Sequence, residues 1–483
     1  MLVLPACDDF LDIDPENSVA EDDVDFTATS EMYSAVSGAY AALRVNNMHW
    51  VANLLTVIRD GDVWSGRVDD QGDLVTMGNY VYDNSWWGLN TMWEMYYGTI
   101  QIANAALESL DNYSEYITSE SDMDDYRAYC GEVRIIRAWT YYRLVMEFGA
   151  VSIMDSNTQA DLTRSTVDVV YEYILRDLEY AMTYTPKMNP NQMEHVGAFT
   201  GYTAAGLAAK VYLNMGDYAK VEELTDEIIN SGCFELYDDY YQLFKIPGRL
   251  CDESLMEVQV TDYGLGSGDE ITVDQFFNCC GPTITNPDTY LTSCGGWGFC
   301  GYYDDFYDWA IDRGEDVRAS TSFMVGGTKT LSGDSISEVS NPSNTNCWNG
   351  KWYVPLEQFT EGRTTYGSNN NVRLLRYAEI LLMNAEAKVR QGESGDTPFN
   401  LVRTRAGMSS ITGVDIDDIL DERRMELCCE WGDRYNDLIR TGLAESVLGS
   451  DGWTEDATYY PIPLSQIDLA PELEDEPLTE LIY

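Results

Sequence analysis

Histidine is nearly absent from this chain, since His49 and His195 are the only two among its 483 residues. Zinc sites built on imidazole and catalytic triads that need a histidine base are therefore difficult to assemble here. Basic residues are also scarce, with 29 Lys and Arg against 82 Asp and Glu and a formal charge of −53. Because Lys and Arg carry the affinity for phosphates, this balance argues against nucleic acid or anionic lipid as partners.

Long apolar runs are missing as well. No segment approaches the eighteen uninterrupted apolar residues that would predict a membrane-spanning helix. The apolar fraction of 45% is nevertheless typical of a globular protein. Aromatic residues make up 12% of the chain, with 34 Tyr and 12 Trp. Most of these rings belong in a core, but their number invites a search for a binding face.

One of the eleven cysteines stands apart, because Leu4-Pro5-Ala6-Cys7 is typical of the end of a bacterial lipoprotein signal. We therefore expect Cys7 to be lipidated and residues 1–6 to be a signal-peptide remnant, although most of a normal signal is missing. Residues 7–29 are acidic and are predicted to form an extended lipid tether. Ten cysteines remain, an even number that is compatible with disulfides without proving them.

Apolar residues recur with helical periodicity over much of the chain. In the clearest unit, residues 200–236, two apolar stripes flank the turn Gly216-Asp217, which matches a tetratricopeptide unit in size. Such helix pairs must stack on neighbours to bury their faces. The predicted fold is therefore mostly α, with tetratricopeptide-like helix pairs. The two stripes are Ala204, Ala208, Val211, Tyr212 and Met215, and Val221, Leu224 and Ile228.

The character of the chain changes between residues 240 and 371, where glycine and turn residues dominate. A short strand is predicted around Val258 and Val260, and helices are predicted to resume at Leu374 and again over 416–439. We interpret 30–483 as a single domain, with 30–239 and 372–440 as helical scaffold. A loop-rich region as long as 240–371 is usually functional, so we expect it to bind ligand.

Short motifs occur in series along the chain. They are Asp9-Phe10-Leu11-Asp12, Arg137-Ala138-Trp139, Arg376-Tyr377-Ala378-Glu379, Asn400-Leu401-Val402-Arg403, Glu422-Arg423-Arg424, Gly432-Asp433-Arg434 and Pro461-Ile462-Pro463. Together and in this order they resemble the SusD/RagB family of outer-membrane nutrient-binding lipoproteins. The sequence departs from the family pattern at Ala470-Pro471-Glu472-Leu473, where the family's usual closing motif is replaced.

The resemblance implies a non-enzymatic surface lipoprotein of the cell outer membrane with a SusD-like helical scaffold. It implies that the protein binds oligosaccharides and passes them to a SusC-like TonB-dependent transporter. Asp8 and Asp9 resemble the surface-export signal of such lipoproteins. Two alternatives stay open: the same scaffold could bind peptide or another nutrient, or the chain could be a glycoside hydrolase. For hydrolysis, Asp60 and Asp62 are the candidate acid pair.

A sugar site needs aromatic rings for apolar C–H faces and polar side chains for hydroxyls. The segment from Asn84 to Asn90 interleaves both types, so Trp86, Trp87 and Asn90 are candidate ligand-binding residues. The family resemblance implies that a Trp and an Asn in this region contact sugar, and Trp87 and Asn90 match best. We expect at least one of the adjacent tryptophans to be exposed, and the alternative is that one of the pair belongs to the core.

A second candidate cluster contains Trp297, Tyr302 and Tyr303, with Arg67 as a possible polar neighbour. Glycines on both sides of Trp297 let the backbone project its ring. Cys294 and Cys300 either staple this loop or are two buried thiols, and the sequence leaves both open.

The helix around Glu422, Arg423, Glu426, Glu430 and Arg434 carries a dense charge motif. Residues spaced by four positions pair along a helix, so we interpret it as structural and expect contacts to neighbours such as Arg403 and Arg405. No cofactor is predicted, and a structural calcium ion held by loop carboxylates and carbonyls is left open.

Overall fold

The computed structural model describes residues 24–47, 49–65, 70–159, 161–264, 276–282, 296–336, 347–361, 368–431 and 433–481. Its helices are α1 Tyr33–Asn47, α2 Trp50–Val57, α3 Gly72–Gly78, α4 Trp87–Ser114, α5 Glu120–Phe148, α6 Val167–Tyr184, α7 Gly201–Met215, α8 Tyr218–Ser231, α9 Tyr240–Leu243, α10 Phe276–Cys280, α11 Asp304–Arg313, α12 Asp316–Ser322, α13 Tyr377–Arg390, α14 Asp396–Arg405, α15 Ile416–Glu426, α16 Asp433–Arg440, α17 Ala444–Leu448 and α18 Leu464–Leu469. Its strands are β1 Val63–Ser65, β2 Val151–Ser152, β3 Arg164–Ser165, β4 Ser254–Val258, β5 Cys300–Tyr302, β6 Phe323–Val325, β7 Cys347–Asn349 and β8 Val372–Arg376.

The helices form a stack in which each long helix packs on the next one along the chain. Helix α4 packs on α5, α5 on α6, α6 on α7 and α7 on α8. Helix α13 then closes against α8, although more than 140 residues separate them in sequence. The predicted mostly α scaffold of stacked helix pairs is confirmed. No helix in the described part of the chain is long and apolar enough to cross a membrane.

The α7–α8 pair shows why the sequence folds in this way. The Thr200 side chain caps α7 and forms a capping box with Thr203, so two free backbone N–H groups are satisfied. Gly216 ends the helix at φ 74°, a conformation that favours glycine, and Asp217 caps α8 by accepting from the Lys220 N–H. The predicted helix pair is confirmed. Its first stripe is shorter than expected, because Met215 is 44% exposed.

A four-stranded antiparallel sheet has the order β1-β5-β7-β6. Its register pairs Val63 with Tyr302 and Ser65 with Cys300, which joins segments more than 230 residues apart. Strands β4 and β8 form a separate antiparallel pair. The prediction of a helix starting at Leu374 is wrong, because this buried residue lies in β8 and the helix begins at Tyr377. When both faces of a strand are buried, apolar residues follow one another without alternation, and periodicity alone does not distinguish such a run from a buried helix.

The predicted continuous helix over residues 416–439 is also wrong. Helix α15 ends at Glu426 and α16 begins at Asp433. Between them Cys429 has φ 53°, a left-handed conformation that a continuing helix does not allow. The break lets the Glu430 carboxylate accept from Lys351 and Arg376, each at 2.7 Å.

The structural interpretation of the charge motif is confirmed. Arg403 pairs with Glu422 at 3.0 Å, and Arg405 pairs with Glu426 at 2.6 Å. Both carboxylates are fully buried. The motif therefore joins α14 to α15 inside the protein.

Candidate functional site

Five aromatic rings from three distant segments meet near the start of α4, and we call them the aromatic cluster. Its members are Trp50, Trp86, Trp87, Trp297 and Phe299. The Trp50 ring centroid lies 5.8 Å from Trp87, 5.8 Å from Trp297 and 5.5 Å from Phe299. Trp86 lies 5.5 Å from Trp87. The structure thus brings together the two tryptophan segments that the sequence analysis singled out separately, with Trp50 between them.

Trp50 is the first residue of α2, where the backbone fixes its direction. The preceding residue, His49, caps this helix, because its Nδ1 accepts a hydrogen bond from the Val51 N–H at 3.3 Å. The His49 ring also stacks on Trp50 with centroids 6.0 Å apart. The helix cap and the stacked ring therefore both hold the central ring of the cluster in place.

The two adjacent tryptophans have opposite environments. Trp86 was predicted to bind ligand, but it is buried, so its assignment is corrected to the core. Trp86 is only 5% exposed and lies over Gly88, where a Cβ atom would come within 2.3 Å of its ring. Trp87 begins α4 and is 45% exposed. The buried ring needs the glycine beside it, and in this position it supports the exposed one.

The loop before β5 supplies the other side of the cluster. Trp297 is half-buried, and Gly298 after it has φ 72°. The N–H groups of Gly298 and Phe299 donate to the carbonyls of Gly281 and Cys279, each at 3.0 Å. These bonds tie the loop to α10, so Trp297 is carried on an anchored backbone.

Asn90 lies one turn after Trp87 on α4 and is half-buried. Its Oδ1 accepts from the Ser465 hydroxyl and, at 2.8 Å, from the Gln466 amide. These two bonds fix the orientation of the Asn90 amide. Its Nδ2 makes no hydrogen bond with the described residues and remains a donor one helical turn from the exposed Trp87.

Neither of the two predicted tyrosines joins the aromatic cluster. Tyr302 is fully buried in β5, and its hydroxyl donates to the Cys428 thiol at 3.8 Å. It cannot contact a ligand, so its assignment to the site is corrected to the core. Tyr303 is 43% exposed but lines a separate depression of about 520 Å³ with Tyr80 and Asp451. Its side chain alternates to the opposite side of the strand from Tyr302.

Three predicted residues lie outside the described part of the chain: Arg67, the lipidation candidate Cys7, and Cys294. Cys300, which the sequence leaves either paired with Cys294 or as a buried thiol, is a buried thiol without a disulfide. The hydrogen bond with the Cys280 thiol and burial raise its pKa, although the hydrogen bond with Cys429 acts in the opposite direction. None of the nine cysteines that the structure describes forms a disulfide with another described cysteine.

The candidate hydrolytic pair is buried and already bonded within the protein. Asp60 accepts from the backbone N–H of Asp62 at 2.8 Å and of Val63 at 3.0 Å, and Asp62 pairs with Arg424. Burial and the nearby Asp62 raise the pKa of Asp60 to about 7. Neither carboxylate is more than 5% exposed, so this pair does not face a substrate.

Among the residues with described positions, no group of three or more His, Cys, Asp or Glu side chains is arranged to hold a metal ion. This finding does not test the structural calcium ion that the sequence leaves open, since carbonyl oxygens also serve as its ligands.

Four residues of the site were missed by sequence reasoning. Trp50 sits in an apolar run, Val51-Ala52-Asn53-Leu54-Leu55, and reads as core. Phe299, Ser465 and Gln466 carry no signal of their own, because only the tertiary contact with Trp50 or Asn90 gives them a role. A search for tryptophans at helix starts would have found Trp50.

The arrangement suits a ligand with both apolar and polar surfaces. Exposed indole offers a flat apolar face, and the oriented Asn90 amide offers a donor at its edge. Sugar rings present this combination of C–H faces and hydroxyl groups.

Comparison with known proteins places the chain in a family. Residues 253–478 match the model of the SusD family, and residues 9–213 match a model described as starch-binding associating with outer membrane. The chain is 25% identical to SusD-like protein P2 of Formosa agariphila, covering 94% of this chain and 91% of that protein. It is 24% identical to the starch-binding protein SusD of Bacteroides thetaiotaomicron, covering 70% of each.

Solved structures show the same fold. Surface glycan-binding protein A from Bacteroides thetaiotaomicron, in complex with laminarihexaose, superposes with a TM-score of 0.76 at 26% identity. The match covers 92% of this chain and 98% of that one. The two family models together span most of the sequence, and the relatives match over most of their length. The chain is therefore a member of the SusD/RagB family.

Proposed function

We propose that this protein binds neutral oligosaccharides at the aromatic cluster, with Trp87 and Asn90 in direct contact with sugar. The observation that carries the proposal is the exposed Trp87 ring beside the oriented Asn90 amide. The relative that was solved with laminarihexaose supports the ligand class. The formal charge of −53 favours a neutral glycan over an acidic one, because the surrounding field repels anions.

The protein acts, in this proposal, as a lipid-anchored binder on the outer-membrane surface. The family model and the SusD relatives point to that membrane. We further propose that bound oligosaccharide passes to a SusC-like TonB-dependent transporter. Purification from native outer membranes with an affinity tag on this chain tests the partnership, and recovery without any large outer-membrane transporter would contradict it.

Replacing Trp87 by Ala is expected to weaken oligosaccharide binding by about 1–3 kcal/mol, the usual loss when an interface anchor is removed. The fold should survive, because Trp87 is largely exposed and Trp86 keeps its place in the core. Calorimetric titration with a glycan selected on an array of neutral oligosaccharides measures the change.

Tyr116→Ala is the matched control for this variant. Tyr116 is 49% exposed and follows the other end of α4, far from the cluster. Equal affinity of Trp87→Ala and the wild type would refute the site.

The same titrated samples, checked for new reducing ends, test hydrolysis: intact sugar supports a binder, and cleavage would overturn this proposal in favour of a glycosidase. Binding of peptides but no glycan would favour the other ligand class.

A further inference from the structure

A groove of about 380 Å³ runs beside α4 on the side where α18 and the following turn pack. Its floor is largely apolar, and its rim carries the amides of Gln101 and Gln466 and the carboxylate of Glu94. Leu469, which lies on its edge, is 79% exposed. The apolar lining residues are Trp93, Tyr97, Met154, Leu162, Leu469, Ala470 and Leu473.

The groove continues the face of α4 that begins at Trp87. Residues 87, 90, 94, 98 and 101 are spaced by three or four positions, so they share one side of the helix. At 1.5 Å per residue, Trp87 and Gln101 lie about 21 Å apart along the axis. The α4 face is therefore long enough to contact several sugar units in a row.

Hydrogen bonds connect the groove to the aromatic cluster. The Gln466 amide donates to Asn90 at 2.8 Å and to Glu94 at 3.2 Å. Helix α18 is held to the start of α4 by the Leu464 N–H, which donates to the Asn84 carbonyl at 2.9 Å. Gln466 therefore lines the groove and also bonds Asn90, which lies one helical turn from the exposed Trp87.

Gly98 keeps the groove open. It lies in the middle of α4, where glycine costs helix stability, yet a Cβ atom built on it would have no neighbour within 4 Å. The space in front of it is part of the groove. Packing within the protein therefore leaves room for a larger side chain at this position, and such a side chain would extend into the groove.

We infer that this groove is a second sugar subsite, which takes the continuing chain of an oligosaccharide whose first units lie on the aromatic cluster. The inference rests on the proposed function and extends it to ligand length. The apolar floor matches C–H faces, and the amide rim matches hydroxyl groups. Glu94 on the rim makes the subsite selective for neutral sugars.

The test compares short and long ligands on the wild type, Gly98→Leu and Gly98→Ala. Leucine is a strong helix former whose side chain would fill the groove, and alanine adds a single methyl group in open space. The probes are the disaccharide and the hexasaccharide of three neutral series: maltose, cellobiose and laminaribiose with their hexaoses. Calorimetry measures the hexasaccharides, and NMR titration measures the weaker disaccharides.

We expect the wild type to prefer the hexasaccharide of its series. Gly98→Leu should weaken hexasaccharide binding about tenfold and leave disaccharide binding unchanged, while Gly98→Ala stays close to the wild type. If Gly98→Leu binds the hexasaccharide as tightly as the wild type does, or loses affinity equally for both ligand lengths, the groove is not a subsite. The proposed function fails in a different way: no series binds the wild type, or Trp87→Ala binds as well as the wild type does.

Discussion

Replacing Glu426 by Ala is expected to lower the free energy of unfolding by about 3–5 kcal/mol, the cost of leaving a buried charge without its partner. Glu426 is fully buried. Its carboxylate contacts Arg405 at 2.6 Å, Arg376 at 3.0 Å and Arg318 at 3.3 Å. Removing it leaves the surrounding guanidinium groups with one negative charge too few.

The pKa of Glu426 shows how strong this environment is. Burial opposes ionisation, but the positive charges of Arg405, Arg376 and Arg318 outweigh it and lower the pKa to about 2. A carboxyl pKa that is depressed in the folded state contributes stability above its unfolded value, and that contribution is lost as the pH falls toward 2. Glu426→Ala should therefore destabilise the protein most at neutral pH and least in acid.

Urea denaturation at pH 7 and at pH 3 measures this difference. Asp417→Ala is the control, because Asp417 is an exposed acid in the first turn of the same helix, where its loss costs a few tenths of a kcal/mol to about 1 kcal/mol. If Glu426→Ala lowers the free energy of unfolding by less than 1 kcal/mol at pH 7, the prediction is wrong, and the remaining charged side chains of the network compensate for the missing carboxylate.

The wild type is expected to lose stability between about pH 5 and pH 8 because of Glu132, and Glu132→Gln should remove this part of the loss. Glu132 lies under α1, where it accepts from the Tyr40 hydroxyl at 2.9 Å and the Tyr33 hydroxyl at 3.4 Å. Burial raises its pKa to about 8, although these two hydrogen bonds act in the opposite direction.

The direction in which stability changes with pH follows from the raised pKa of Glu132. The folded state holds the proton more tightly than the unfolded chain, so the stabilising contribution is complete below the unfolded pKa and is lost as the pH rises through 8. The loss approaches about 1.4 kcal/mol for each pH unit in that window. A glutamine keeps an acceptor for the tyrosines without the titration.

The difference between wild type and Glu132→Gln, measured by urea denaturation from pH 5 to pH 9, isolates this group. Asp60 and Glu379, whose pKa values burial also raises to about 7, titrate in both proteins and cancel. Glu120→Gln serves as control, since Glu120 is exposed at the start of the same helix. A difference that does not change with pH would contradict the assignment.

Local patterns were sufficient to predict much of the scaffold. The α7–α8 pair followed from its two apolar stripes and the Gly216-Asp217 turn between them, all of which act over a few residues. The pairing of Glu422 with Arg403 also followed from the sequence, because a helix face with so many charges needs partners. The exposure of at least one of the two adjacent tryptophans was predictable, because aromatic and polar residues are interleaved in the segment from Asn84 to Asn90.

Long-range contacts were not predictable in the same way. Nothing near Trp50 indicates that it meets Trp297, and nothing near Asn90 indicates that Ser465 and Gln466 orient its amide. Tyr302 was misassigned because its aromatic neighbours looked like a binding loop, whereas strand pairing with Val63 buries it. Strand register decides which side chains of a strand face the core and which face solvent, and the spacing of residues in the sequence did not reveal the register of β5.

The pairing of β1 with β5 has a consequence for folding. The aromatic cluster takes Trp50 from one side of this closure and Trp297 from the other, so it exists only after a loop of more than 230 residues has closed. Closure of so long a loop is slow compared with the formation of local helix pairs. In a refolding experiment the helical signal should therefore recover first, and ligand binding, which needs the complete aromatic cluster, should recover last.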